Sequence, residues 1–336
     1  MTESAEYRGA SEQTHPAAPT APYSPTPPAP PARPSAGSRF KKIWIGRSGL
    51  RAGWAALLFF MITIGLVAAG GFVLHHLFHH PAPGSEAMTP GHTIVGECMT
   101  VGAVLIATKV MSLFDKKSWL DYGLRAPRRV AHLLQGVVCG VILLSGMMGL
   151  LLLTHGVTIE FSAIGTLAVI KSGLLWAVAF ALVALFEELV CRGYAFFTLA
   201  SGTNAFIAAI LLSLLFGSAH GHNAGESPAG LIAAGLFGMV ISLSVWRTGS
   251  LWWALGFHAA WDWSESFVFG ANDSGQVASS TWMLSHAAGP AWLSGGSVGP
   301  EGSMMIFPVL IVLTLVIMLT LPRNPARWVR RERQLA

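Results

Sequence analysis

The chain has 336 residues, of which 53% are hydrophobic and only 11% are charged, and its mean hydropathy is +0.56. Because soluble domains contain roughly 25% charged residues, this composition excludes a soluble globular protein and predicts an integral membrane protein. The net charge of +5 does not indicate binding to nucleic acid, because the basic residues lie mostly at the edges of apolar runs, where they anchor helices.

The N-terminal segment differs from the rest of the chain. Residues 1–38 are rich in Pro, Ala, Ser and Thr, with almost no large aliphatic side chains. Such a segment buries too little apolar surface to fold, so we predict a disordered Pro/Ala-rich tail, whose role the sequence does not define. Residues 39–336 have short linkers between apolar runs and predict a single membrane-embedded domain.

Eight apolar runs follow the tail, each near the ~20 residues with which a helix crosses a bilayer. Their approximate limits are 53–75, 93–114, 131–154, 164–190, 204–220, 228–246, 250–269 and 303–321. The predicted fold class is therefore all-α, a polytopic membrane protein with about eight transmembrane helices. Lys and Arg fall on one side of this arrangement, and the alternate loops carry none. The asymmetry predicts cytoplasmic termini and a multi-pass protein of the cell (plasma or inner) membrane.

Two adjacent glutamates, Glu187 and Glu188, lie inside an otherwise apolar run. A carboxylate in hydrocarbon costs at least ~2.5 kcal/mol, so a chain that keeps two of them is expected to use them. Glu188 and Arg192 are four residues apart and can meet on a helix, which predicts a structural ion pair. Glu187 is turned roughly 100° from Glu188, so we expect it to face a cavity and to serve as a general base.

Two further polar motifs lie on later apolar runs, Phe216–His220 on the fifth and His258–Asp262 on the seventh. His258 and Asp262 are four residues apart, so their side chains point the same way. Together with Glu187 they bring two imidazoles and two carboxylates onto three helices. This is the ligand chemistry of a catalytic zinc site, with His220 and His258 as metal ligands, or equally of a metal-free site that activates water.

The fourth helix raises a question of length. Glu187 and His220 lie level only if this helix continues to about Leu199 and the chain then turns at 201–203, at ~1.5 Å per residue. The helix is then longer than one bilayer crossing, so we expect it to tilt, to break or to extend past the membrane.

Two other features carry open alternatives. The histidines near the end of the first run form two i,i+4 pairs, which either bind a transition metal or respond to pH, or else form an interfacial polar cap. They are His75, His76, His79 and His80. Glu97, in the second run, is either a buried hydrogen-bonded group or a neighbour of the water cavity.

The ordered set of three motifs resembles the CAAX-protease and bacteriocin-processing (CPBP, or Abi) family of intramembrane endopeptidases, over about 160–270. The family pattern is EExxxR, then FxxxH, then HxxxN or HxxxD. It is present here as Glu187–Arg192, Phe216–His220 and His258–Asp262. Asp262 stands where many family members have Asn, which adds a negative charge to the site.

The resemblance implies specific catalytic roles. Glu187 activates a water that attacks the scissile carbonyl, and the Glu188–Arg192 pair holds it in place. His220 orients that water or stabilises the oxyanion, while His258 and Asp262 complete the cavity. The family is described both as zinc metalloproteases and as metal-free glutamate proteases, and the HExxH zinc signature is missing, so both mechanisms stay open at this point.

The function favoured by these observations is intramembrane cleavage of a peptide or membrane-associated protein in the lipid bilayer. Two other classes are left open. An ion-coupled transporter uses the same groups to relay protons and predicts internal repeats, which we do not find in the sequence. A non-catalytic, bacteriocin-immunity-type membrane protein binds partners instead. The sequence defines neither the oligomeric state nor whether the substrate is prenylated.

Overall fold

The computed structural model of the chain describes residues 44–46, 49–78, 88–223 and 226–323, and the predicted tail at 1–38 lies outside this part. The described residues are mostly helical. The helices are α1 (Ala52–Phe78), α2 (Pro90–Phe114), α3 (Arg129–Leu153), α4 (Thr166–Arg192), α5 (Tyr194–Gly202), α6 (Ala205–Ala219), α7 (Pro228–Thr248), α8 (Trp252–Asp262), α9 (Ala291–Ser294) and α10 (Ile306–Thr320). A π-helix, Trp263–Val268, continues α8, and single 3-10 turns lie at Trp119–Asp121, His220–His222 and Pro300–Gly302. The strands are β1 (Ile45–Gly46), β2 (Gly49–Leu50), β3 (Val157–Phe161) and β4 (Met283–Ala287).

Six helical segments in the described part of the chain are long and apolar enough to cross a bilayer. They are α1, α2, α3, α4 together with α5, α6 with the 3-10 turn that follows it, and α7. Large apolar side chains in the middle of these helices are exposed on the protein surface, including Ile64, Leu174 and Leu214. Side chains of this kind are stable in contact with lipid rather than water, so the protein is a multi-pass membrane protein.

The other two predicted spans are shorter in the structure. Helix α10 has 15 residues, or ~22 Å of length against a ~30 Å hydrocarbon core. Helix α8 has 11 residues and is continued by the π-helix as far as Val268. It is buried among the other helices, with Phe257 and Trp261 almost inaccessible. The count of eight spans and the cytoplasmic position of both termini therefore stay predictions.

Helix α3 packs along α8 at very short range because glycines lie at the contact. A β-carbon at Gly140 would lie 2.5 Å from the carbonyl oxygen of Phe257, and one at Gly256 would overlap the backbone of Leu133. Atoms at such separations repel, so these positions require glycine if the two backbones are to approach this closely. The contact fixes the position of α8, which carries His258.

This contact predicts a loss of stability in Gly140→Ala. The added methyl group has to force the two helices apart, and overpacking of this kind costs about 1–3 kcal/mol. Gly146→Ala on the same helix is the matched control, because nothing lies within 4 Å of its added β-carbon. In thermal unfolding of the detergent-solubilised chain, the first variant should melt below wild type and the second should not. Equal melting temperatures would contradict the close contact.

The fourth predicted helix breaks at Gly193. Helix α4 ends at Arg192, α5 begins at Tyr194, and α5 ends at Gly202, so the break and the turn expected from the length argument are both present. A β-carbon at position 193 would overlap the backbone of Leu189. The break directly follows the first motif, which therefore occupies the last two turns of α4.

The loop 271–302 contributes structure that the sequence did not predict. Its strand β4 pairs antiparallel with β3, with Val157 opposite Ala287 at one end of the register. A single bridge between Met88 and Ala278 ties the same loop to the start of α2. The predicted all-α class therefore holds for the bundle, and short strand pairs are added to it.

Candidate active site

The buried carboxylate of Glu188 joins the first motif to the third. Its Oε1 accepts hydrogen bonds from Nη1 of Arg192 and from Nδ1 of His258, both at 2.9 Å, and Glu188 is fully buried. The predicted ion pair between residues 188 and 192 is therefore present. The bond from His258 is an additional contact that spacing along the chain cannot show. Glu188 thus holds the imidazole from behind and does not itself line the cavity described below.

Arg192 connects the first motif to the second. Its guanidinium lies over the ring of Phe216, 4.5 Å from the ring centre. The backbone carbonyl of Phe216 accepts a hydrogen bond from Nδ1 of His220 at 2.8 Å. Because a carbonyl oxygen only accepts, Nδ1 of His220 carries a proton and Nε2 is the ring atom left for other partners.

Glu187 lies on the other side of the same imidazole. Its Oε2 is 3.5 Å from Nε2 of His258, and Oδ2 of Asp262 is 3.6 Å from that nitrogen. The Glu187 side chain is 27% exposed, so it reaches solvent-accessible space while Glu188 does not. The 3.5 Å separation is longer than a normal hydrogen bond, and both side chains line the cavity described next.

The predicted site residues meet at a cavity of about 790 Å³. Glu187, His220, His258 and Asp262 all line it, whereas the Glu188–Arg192 pair lies behind its wall. In the described part of the chain, His220 makes no hydrogen bond or ion pair with the other three. The shared cavity, rather than a direct contact, brings the second motif to the site.

Two features that the sequence left open also reach this cavity. Glu97 lines it and is partly buried, so it is a neighbour of the cavity, and it also accepts a hydrogen bond from the Thr100 hydroxyl at 2.7 Å. His75 and His76 line it as well, but residues 79 and 80 lie outside the described residues. The proposed histidine pairs therefore stay a prediction.

Acidic residues of the loop 271–302 are the part of the site that sequence reasoning missed. Asp273 and Glu301 line the cavity, and burial together with the charge of Glu301 raises the pKa of Asp273 to about 7. Their signal in the sequence is weak, since they are simply the two acids of a loop without Lys or Arg. A third acid, Glu265 on the π-helix, lies beside them.

The predicted zinc ligands, His220 and His258, do not belong to a compact ligand cluster in the described residues. A protein zinc site brings three or more donor atoms together. Within the described part of the chain, the one such group with all donor atoms within 4.8 Å is Glu265, Asp273 and Glu301. Zinc binding by the two histidines thus stays a prediction, and no catalytic step below depends on it.

Residues 169–264 match the family model described as Rce1-like, type II CAAX prenyl endopeptidase. The chain carries an Rce1-like region. This region contains all three motifs and every side chain that meets around His258, and it is consistent with the CPBP family, so the resemblance read from the motifs is confirmed. No curated protein and no solved structure matches the chain significantly.

The Rce1-like region indicates an endopeptidase of the CAAX-protease type, whose substrate is a peptide or a protein. It begins within α4 and ends at the second residue of the π-helix. The acids at positions 265, 273 and 301 therefore lie outside the matched range, although two of them line the same cavity.

Proposed function

We propose that the protein is an intramembrane endopeptidase of the cell membrane that hydrolyses a peptide bond of a membrane-associated protein or peptide. Glu187 acts as the general base that activates the attacking water. The observation that carries the proposal is the position of the Glu187 carboxylate, 3.5 Å from Nε2 of His258 at a cavity wall. The adjacent Glu188 is meanwhile held by Arg192 and by the opposite nitrogen of the same imidazole.

The reaction follows from the positions of these groups. The Glu187 carboxylate takes a proton from water as the water oxygen attacks the scissile carbonyl carbon, and the carbonyl oxygen becomes an oxyanion. The proton then passes to the leaving amine nitrogen as the C–N bond breaks. His220 assists through Nε2, which accepts a hydrogen bond from the water when the ring is neutral and donates to the oxyanion when it is protonated.

His258 lies between two carboxylates: Glu188, which positions its ring, and Glu187, which acts on the water. Its Nδ1 proton is directed at Glu188, as the acid of a catalytic triad orients its histidine. This fixes the ring so that Nε2 faces the water between it and Glu187. Asp262, 3.6 Å from the same nitrogen, favours the positive charge that the ring gains when it accepts a proton.

The walls of the cavity indicate the kind of substrate. Apolar side chains of α1, α4 and α7 face the same space as the titratable groups, among them Phe72, Val183 and Phe237. Such a lining binds an apolar segment and places a few polar groups at one point along it. The substrate is therefore a peptide with a hydrophobic portion, supplied either by its own side chains or by an attached lipid.

A cleavage assay in liposomes tests this function. We expect the reconstituted wild-type chain to cut a hydrophobic peptide, and comparison of prenylated with unprenylated peptides shows which source of apolar surface it prefers. His220→Ala and His258→Ala should each lower the rate about 10²-fold or more, because each removes a group that acts on the water. The products are identified by mass spectrometry.

The matched control is His286→Ala, because His286 is exposed and faces Glu160 outside the cavity. This variant should cleave at the wild-type rate. Proton or solute flux through the liposomes without peptide cleavage would identify a transporter instead. If both His220→Ala and His258→Ala cleaved at the wild-type rate, the proposed mechanism would be wrong.

A further inference from the structure

We propose that Glu265, Asp273 and Glu301 form a binding site for a hard divalent cation of the Ca²⁺ type, beside the cavity that contains Glu187. One carboxylate oxygen from each residue lies within 4.8 Å of the other two. Two oxygens on opposite sides of one Ca²⁺, each at ~2.4 Å, are ~4.8 Å apart. The three carboxylates are therefore close enough for one ion to bind them together with small side-chain shifts.

Glu265 supplies the second observation that indicates a ligand. It is completely buried, with 0% of its surface exposed. Neither of its carboxylate oxygens accepts a hydrogen bond of normal geometry in the described part of the chain; the indole N–H of Trp261 lies nearby but donates to Glu301. One oxygen of Glu265 lies beside those of the other two acids. A buried ionised carboxylate with no partner costs several kcal/mol, so a cation at this point would stabilise the arrangement.

The neighbouring charges do not neutralise the cluster. In the described part of the chain, no lysine, arginine or histidine forms an ion pair with any of the three acids. Their combined charge when ionised is three negative charges in a small, largely buried volume. The donor atoms are all oxygen, which favours Ca²⁺, Mg²⁺ or Mn²⁺ over metals that prefer nitrogen or sulfur.

Hydroxyl and indole groups orient two of the three carboxylates. Glu301 accepts from Nε1 of Trp261 at 3.0 Å through one oxygen and from the Ser274 hydroxyl at 2.7 Å through the other. Asp273 accepts from the Ser266 hydroxyl at 3.1 Å. Hydrogen-bond donors that fix the orientation of a ligand carboxylate in this way are typical of metal sites.

The backbone also brings the two loop acids together. Gly299 has a φ of +102°, and a β-carbon there would overlap the carbonyl oxygen of Asn272. Asn272 directly precedes Asp273, and Glu301 follows Gly299 by two residues. The close approach of these two segments thus places both carboxylates against the π-helix that carries Glu265.

The ion would connect the π-helix that follows α8 to the loop 271–302, and so would hold this side of the cavity in place. Asp273 and Glu301 line the cavity that contains Glu187. The inference rests on the three acids alone and does not depend on the proposed peptide hydrolysis. Its test therefore measures ion binding and stability rather than cleavage.

Terbium luminescence and thermal unfolding test the site in the full-length detergent-solubilised chain after treatment with a chelator. Tb³⁺ occupies Ca²⁺ sites and emits when a nearby tryptophan is excited, and Trp261 lies beside this one. We expect saturable emission at one ion per chain, displaced by Ca²⁺. We also expect a rise in melting temperature of about 4 °C at a free Ca²⁺ concentration of ~100 times Kd.

Both responses should disappear in Glu265→Gln and in Asp273→Asn. Asp273 is partly exposed, so its variant stays informative if the buried Glu265→Gln variant fails to fold. The control, Glu160→Gln, removes an exposed carboxylate outside the cluster and should respond as wild type does.

Three results would overturn the proposal. The first is wild-type protein that binds neither ion in a saturable way. The second is unchanged binding in the variants at positions 265 and 273. The third is wild type that does not respond to Ca²⁺ while both variants melt higher in metal-free buffer, which would show that the acids share protons instead of an ion.

Discussion

Glu187→Gln should reduce peptide cleavage by about 10²–10⁴-fold, the usual contribution of a positioned general base. The amide has almost the same shape as the carboxylate but cannot accept a proton from water. The loss should appear in kcat with little change in KM, because the side chain acts on the water and not on the bound peptide. Initial rates over a range of peptide concentrations in liposomes measure the two constants separately.

The folded state should tolerate this substitution. Glu187 is partly exposed, and it shares the cavity with Asp262, Asp273 and Glu301, so removal of its charge relieves repulsion among the carboxylates. The melting temperature should therefore stay close to that of wild type, because the relieved repulsion is offset by the lost attraction between Glu187 and His258, which lie 3.5 Å apart. A loss of cleavage without a loss of stability separates a catalytic role from a structural one.

Two further variants complete the comparison. Glu160→Gln makes the same chemical change at an exposed position outside the cavity and should keep the wild-type rate. Glu187→Asp keeps the carboxylate but withdraws it by one carbon–carbon bond, so it should retain part of the activity. Wild-type kcat in Glu187→Gln would show that another group activates the water, and the assignment would be wrong.

Spacing along single helices predicted several contacts of this site. Glu188 meets Arg192, and His258 meets Asp262, because residues four apart lie on one face of a helix. The position of Glu187 on the cavity side followed from its rotation of about 100° relative to Glu188. A helix too long for one bilayer crossing was expected to tilt, to break or to extend past the membrane, and the structure shows a break at Gly193.

Contacts between distant parts of the chain were not predictable in this way. The bond between His258 and Glu188 joins residues 70 positions apart, and nothing in either motif specifies which carboxylate the imidazole meets. The pairing of β3 with β4 joins two loops that lie more than 100 residues apart. In a chain dominated by apolar helices, strands of only five residues carry too weak a pattern to be recognised.

The acidic cluster shows the same limit more clearly. Glu265 follows α8 by three residues, whereas Asp273 and Glu301 come from a Gly/Ser-rich loop, so no common spacing links the three. They meet because glycines at positive φ fold that loop back on itself. Glycine positions in a loop indicate turns but not their direction, and so the cluster appears only in three dimensions.

Glu188→Gln should destabilise the protein by about 3–5 kcal/mol, because it leaves the buried charge of Arg192 without its partner. Arg192 is 1% exposed and Glu188 is 0% exposed, so water cannot replace the lost carboxylate. The same change weakens the hold on His258, whose Nδ1 donates to that carboxylate at 2.9 Å. Denaturant or thermal unfolding in detergent measures the first effect, and the cleavage rate measures the second.

The double variant Glu188→Leu with Arg192→Met separates the two effects. Replacing a whole buried pair by apolar side chains is often neutral for stability, so most of the lost stability should return. Cleavage should not return, because His258 still lacks the group that fixes its ring. Recovery of stability without recovery of activity would show that Glu188 positions the catalytic histidine as well as supporting the fold.

An exposed ion pair of the same spacing provides the control. Arg125 lies 3.3 Å from Asp121, and both side chains reach solvent, so Arg125→Met should cost no more than about 1 kcal/mol. If Glu188→Gln were no more damaging than this surface change, the buried pair would not hold the motif together. If the double variant cleaved at the wild-type rate, His258 would need no carboxylate behind it. The proposal that Arg192 and Glu188 position His258 for its role at the attacking water would then be wrong.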